Sequence, residues 1–94
     1  MKTITSISRL KRQERILEQA IAGTAVVLDL EGGNYYALDG TGARAWELCD
    51  GQREVCEIAT ILGNEFDAPS PAIENDLIEL FTELLNEKLV EASV

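Results

Sequence analysis

The side chains of this 94-residue chain with the reactivity for chemistry are two thiols (Cys49 and Cys56), the adjacent phenols Tyr35 and Tyr36, and scattered serines and lysines; there is no histidine. Acid–base catalysis by imidazole is therefore excluded. A Cys-x6-Cys spacing matches neither a zinc pair nor a redox pair. The carboxylates that would have to complete a metal site do not gather in any recognisable loop. No serine or lysine has the surroundings of a nucleophile, and no glycine-rich loop could cradle a phosphate. Both cysteines fall where an apolar helical face is expected, which reads them as buried free thiols. No catalytic residue, metal or cofactor is expected, so function must lie in binding.

The net charge of −9 narrows the partners. Lys2, Arg9, Lys11, Arg12 and Arg15 are five of the eight cations, so the rest of the chain is more acidic than the total suggests. Such a surface repels phosphate backbones and suits neutral or basic partners. Acidity that merely keeps a small protein soluble is the other reading. No apolar run approaches the ~20 residues of a membrane span. The N-terminal stretch has no apolar segment of a secretory signal, so a cytoplasmic protein with no membrane partner is expected.

The elements that position these residues follow from pattern. Residues 1–14 are polar and basic and read as a flexible arm, either a solubilising tail or a dock for an acidic partner enzyme. The remainder, 15–94, reads as one domain. "ILEQAI" fits a helical stripe or an alternating strand, and the Ala22-Gly23-Thr24 turn tips it to a strand. "AVVLDL", residues 25–30, is β-branched and apolar, hence a strand. Glu31-Gly32-Gly33-Asn34 supplies a hairpin turn and "NYYALD" the returning strand. Three helices follow. Thr41 is the expected cap of the first, with Ala45, Leu48 and Cys49 on one face, Trp46 beside them and Asp50-Gly51 as the stop. Val55, Ile58, Ile61, Leu62 and Phe66 give the second its 3.6-residue period. Ser70 caps the third, with Pro71 at its first position, and that helix runs to about Lys88 before a short tail. The fold class is α+β: a three-stranded antiparallel β-meander followed by three α-helices, a winged helix-turn-helix whose wing comes first.

Two features suggest where a partner sits. On the third helix Ile73, Leu77, Leu80 and Leu84 share one edge, and Phe81, Leu85, Ile78 and Leu89 continue the apolar arc over about half the circumference. That arc is wider than the ~100° stripe of a helix packed on one side. Either all of it is core, or one edge lines an open groove, flanked by Asp76, Glu83 and Glu87. In the last meander strand Tyr35 and Ala37 share one face, Tyr36 and Leu38 the other. That strand lies at a sheet edge with neither proline nor lysine to protect it. Beside an apolar groove, such an edge can receive an extended peptide as another strand. The C-terminal segment or a second copy of the chain could equally cover it.

The sequence resembles the PqqD-like family. The resemblance is carried by Leu28-Asp29-Leu30 before the glycines, Tyr35-Tyr36-x-Leu38, Thr41-Gly42-Ala43-Arg44-x-Trp46-Glu47-Leu48, and the closing Asp76-Leu77, Leu84-Leu85 and Leu89-Val90. It spans about Ile16 to Glu91. The family's broader group comprises recognition elements for ribosomally made, post-translationally modified peptides. The resemblance implies that a precursor's leader peptide adds antiparallel to the third meander strand and lies in the cleft against the third helix. Carried over, the peptide-binding residues are Asn34, Tyr35, Tyr36, Ala37 and Leu38 with Ile73, Asp76, Leu77, Leu80 and Leu84. The Leu-Asp-Leu and Thr-Gly-Ala-Arg stretches look most like the stand-alone recognition proteins of lasso-peptide pathways, whose implied partners are a leader peptidase and a cyclase. Two departures stand out: the basic arm has no counterpart, and Asn86-Glu87-Lys88 stands where members often have a glycine.

The expected function is thus a non-catalytic leader-peptide receptor that delivers a precursor to processing enzymes. The alternatives are a winged-helix DNA-binding regulator and the PqqD chaperone of pyrroloquinoline quinone biosynthesis. Asp76, Glu79, Glu83 and Glu87 on the would-be reading helix oppose nucleic acid as a partner.

Overall fold

A computed structural model describes residues 3–14 and 16–93. Among them, six strands and three helices follow in the order β1 (Arg9–Arg12), β2 (Ile16–Ile21), β3 (Thr24–Asp29), β4 (Asn34–Asp39), α1 (Gly40–Leu48), β5 (Asp50–Glu54), α2 (Val55–Phe66), α3 (Ser70–Asn86) and β6 (Val90–Ser93).

The meander forms as its pattern dictates, with order β2-β3-β4 and both pairs antiparallel. Ala22 and Gly23, both at positive φ (51° and 83°), close β2 onto β3 in a two-residue turn whose twist matches the strands. Four residues, Leu30 to Gly33, close β3 onto β4, and the side chain of Asp29 accepts the Glu31 N–H (3.1 Å) to shape that turn. Ala25 and Val27 point from the inner face into the core. There they meet Trp46 of α1, Ile58 and Leu62 of α2 and Phe81 of α3, all buried. Trp46 also donates its indole N–H to Glu18, tying α1 to β2.

The helix ends differ from expectation by a residue or two. Asp39, not Thr41, stands at the N-cap of α1. Pro69 stands at the N-cap of α3, Ser70 is its first residue, and the helix ends at Asn86. The break between α2 and α3 is tight: a Cβ on Gly63 would lie 3.0 Å from the Ala68 carbonyl and 3.1 Å from Ser70 Oγ. Any larger residue would push the Ala68 carbonyl or Ser70 aside, so glycine suits this close turn between the helices.

A second sheet, order β5-β1-β6, corrects two readings. Residues 1–14 are not a loose arm where the structure describes them; Lys2 and Arg15 lie outside the described residues. Ile4 and Leu10 are buried in the core. The Ser6 and Ser8 carbonyls accept the Cys56 and Val55 amides (2.8 and 3.0 Å), which are first-turn donors of α2 with no partner inside the helix. Arg12 donates to the Trp46 and Glu47 carbonyls (2.9 Å each), where a cation suits the C-terminal end of α1. The C-terminal tail is likewise β6, paired along β1 from Arg12↔Val90 to Arg9↔Ser93. Both segments are short, with one apolar residue at most every second position, so neither carries enough periodicity to read as a strand alone.

Candidate functional site

The two-residue turn sets the hydrogen-bonding phase of the whole meander. Its closing pair, Ile21 and Thr24, is a hydrogen-bonded pair, so Gln19/Val26 and Leu17/Leu28 are too. Ala25, Val27 and Asp29 therefore turn their backbone groups to β4, where they face Leu38, Tyr36 and Asn34. The N–H and C=O groups of Tyr35, Ala37 and Asp39 point the other way, out of the sheet edge. No described strand pairs with that edge.

Side chains alternate along the same strand. Tyr35 is 73% exposed and lies on the outer face, in a row with Leu28 and Leu17, which are also exposed. Tyr36 and Leu38 turn to the inner side and are half-buried. The Tyr36 hydroxyl donates to Glu87 at the end of α3 (2.7 Å). That hydrogen bond to a carboxylate, with some desolvation, raises the phenol above its ordinary pKa and holds it protonated.

Along α3 runs a cleft of two recesses, the first against β4 and the second against the start of α1. One, of about 390 Å³, is lined by Tyr36, Ala37, Leu38, Leu80, Glu83, Leu84, Asn86 and Glu87. The other, of about 420 Å³, is lined by Thr41, Gly42, Ala68, Ala72, Ile73, Asp76, Leu77 and Leu80. Leu80 is common to both. A Cβ on Gly42 would reach within 3.9 Å of Leu80 and 4.0 Å of Leu38, so glycine keeps the floor between them low. Ala72 to Glu87 covers about 23 Å of helix, the length of an extended segment of roughly seven residues. The floor is apolar, and the charged lining residues, Asp76, Glu83 and Glu87, are all acidic. No group of three or more metal-ligating side chains occurs among the described residues.

Eight of the ten residues expected at the site meet here: Tyr36, Ala37, Leu38, Ile73, Asp76, Leu77, Leu80 and Leu84. Asn34 lies at the start of β4 opposite Asp29 and does not line the cleft, and Tyr35 faces away from it. Thr41, Gly42, Ala68, Ala72 and Asn86 were not anticipated, whereas Glu83 and Glu87 were expected to flank the groove edge and stand as walls of the first recess. Ala72 lies four residues before Asp76, one helical turn along the same edge, and that spacing could have flagged it. The wide arc on α3 splits: Ile73, Leu77, Phe81 and Leu84 are buried, whereas Leu80, Ile78 and Leu85 are half-exposed.

Comparison with known proteins matches the geometry to a family. A model described as "Coenzyme PQQ synthesis protein D (PqqD)" matches residues 24–90, from β3 to the start of β6. Among solved structures, TbiB1 in complex with the TbiA(beta) leader peptide is similar, with 30% identity over 86% of this chain and 94% of that one, and a TM-score of 0.78. The PqqD truncation of Methylobacterium extorquens PqqCD, described as a functional, stand-alone recognition element for ribosomally synthesised and post-translationally modified peptides, is 27% identical. It covers 95% of each chain with a TM-score of 0.71. No curated protein sequence matches. With the fold, the order of its motifs and most of its length in agreement, this chain belongs to the PqqD family.

Proposed function

We propose that this protein is a non-catalytic receptor for the leader peptide of a ribosomally made precursor. The leader adds antiparallel to β4 as a fourth strand and lays alternate side chains into the cleft against α3. One observation carries this reading: the backbone groups of Tyr35 and Ala37 point out of an unpaired sheet edge directly beside an apolar groove. Main-chain bonds then give affinity, and the two recesses give selectivity. That TbiB1, a protein 30% identical, forms a complex with a leader peptide supports a leader as the guest.

Capture serves delivery. The loaded protein hands its precursor to a processing enzyme such as a leader peptidase, in the cytoplasm where the precursor is made. No described helix is long and apolar enough to cross a membrane. The likeness of the Leu28-Asp29-Leu30 and Thr41–Arg44 stretches to lasso-pathway members favours a lasso peptide as the product over pyrroloquinoline quinone. A DNA-reading role is disfavoured by the acidic wall of α3, which would face phosphates.

The test is titration of the 15N-labelled protein with a synthetic leader from the precursor encoded beside it. Amide shifts should cluster at residues 35–38 and along Ala72–Glu87. Shifts confined to β1 and β6, or none at all, would rule the reading out.

A further inference from the structure

The end of α3 carries the wrong charges for its own helix. Glu83 and Glu87 stand four residues apart on one face, so they repel each other, and both sit where the helix dipole is already negative. The last turn contains no basic residue. Tyr36 donates one hydrogen bond to Glu87, which leaves the second Glu87 oxygen and the exposed Glu83 carboxylate facing the first recess. No lysine or arginine lines either recess. With no described cation lining the recesses, these carboxylates stand open to a positive charge that a guest brings.

The cleft also has a direction. Along β4 the chain passes Tyr36 beside Glu83–Glu87 before it reaches Gly42 beside Ala72–Leu77. A guest antiparallel to β4 therefore runs the same way as α3, with its N-terminal part in the Ile73/Leu77 recess and its C-terminal part at Glu83 and Glu87. The first end is walled by Ile73, Leu77 and Leu80 with the single charge of Asp76; the second carries two carboxylates. Resting on the receptor reading above, we infer that the protein selects leaders by charge polarity: an apolar side chain at the N-terminal end of the bound segment, and a lysine or arginine at its C-terminal end against Glu83 and Glu87. An acidic side chain at that end is rejected.

The cation and the apolar anchor are separated by the distance between the recesses. Centres near residues 75 and 85 of α3 are about 15 Å apart, which is four to five residues of extended chain. Both side chains must point inward, so the spacing is four.

The test uses the intact protein and synthetic peptides spanning the leader of its co-encoded precursor, with affinity measured by calorimetry at low and high salt. Changing the lysine or arginine at the C-terminal end of the bound segment to glutamine should weaken binding about 3- to 10-fold, and to glutamate by more, since exposed ion pairs are each worth a factor of about 1.5 to 5. The doubly substituted Glu83→Gln, Glu87→Gln protein should lose the same factor and its salt dependence, yet melt no lower than wild type, because the repulsion at the helix end is removed. Glu83→Lys should prefer the glutamate peptide. The inference is overturned if a leader without a cation at that end binds normally, or if the charge substitutions leave affinity and salt dependence unchanged while binding persists. Absence of binding by the unaltered leader would instead sink the receptor reading itself.

Discussion

Replacing Ala37 with proline removes one backbone N–H from β4, and the register says which one. Ala37 pairs with Val26 in the phase that turns its N–H and C=O away from β3. The β3–β4 ladder uses Asn34, Tyr36 and Leu38, so it loses no bond. Proline is tolerated at such outward edge positions, and the preceding Tyr36 is already extended, as a residue before proline must be. The fold should therefore lose no more than about 1 kcal/mol, a fall in Tm of under about 8 °C. Leader binding loses more. A main-chain hydrogen bond worth about 1 kcal/mol net disappears, and the guest carbonyl that faced it is left without a partner beside an apolar cleft, at about 1–2 kcal/mol. The combined loss of about 2–3 kcal/mol is a rise in Kd of roughly 30- to 150-fold. Fluorescence polarisation with a labelled leader reads the affinity, and circular dichroism reads the Tm. Leu38→Pro is the contrast: its N–H faces β3, so it should damage fold and binding together. If Ala37→Pro binds as wild type does, strand addition at β4 is wrong. If it fails to fold, the phase assigned to β4 is wrong.

Leu10→Ala removes a buried side chain that links β1 to the core, and should cost about 2–4 kcal/mol, visible as a fall in Tm of roughly 10–25 °C. A change of under 2 °C would mean that the N-terminal segment is not part of the folded unit. Ala22 holds a left-handed φ of 51° that asparagine adopts more readily, so Ala22→Asn should raise stability by about 0.5–1 kcal/mol in urea unfolding with an unchanged m value. Lower stability would show that the turn is not of the type deduced, and with it the phase of the edge. Burial pushes the Cys49 thiol from an ordinary value of 9.0 up to about 12. The folded state thus keeps a proton that the unfolded chain gives up first. Stability from this group is fully present below pH 9 and declines as pH rises from there towards 12, by up to about 1.4 kcal/mol per pH unit. Cys49→Ala should flatten that decline; a slope identical to wild type would refute the assignment.

Most of the meander was legible because its signals are local. Alternation in "AVVLDL" and "NYYALD", with turn residues between, needs no distant partner to be read. The apolar edge of α3 was equally plain, and so were the residues that share it. What pattern could not decide was which of two equivalent faces turns inward. Tyr35 and Tyr36 are the same side chain on opposite faces of one strand. Only the packing of Val27 and Ala25 on Trp46 and Phe81 chooses between them, and it sends Tyr36 to the cleft, where Glu87 receives its hydroxyl.

The N-terminal fourteen residues show the limit from the other side. Their charges suggested solvation, and four-residue β1 offers a single deeply buried side chain, Leu10. Their role is to satisfy others: Arg12 closes the end of α1, the Ser6 and Ser8 carbonyls close the start of α2, and β1 pairs with β6 from the far end of the chain. Such bonds join residues 34 or more positions apart, and nothing in a short window announces them. By itself the sequence determined the meander, the helices, the acidity, the absence of imidazole chemistry and the residues of the groove edge, because each depends on composition or on periods of two and 3.6. Only the tertiary structure decided the second sheet, the inward tyrosine and the acidic end of the cleft, because each depends on which distant groups need a partner.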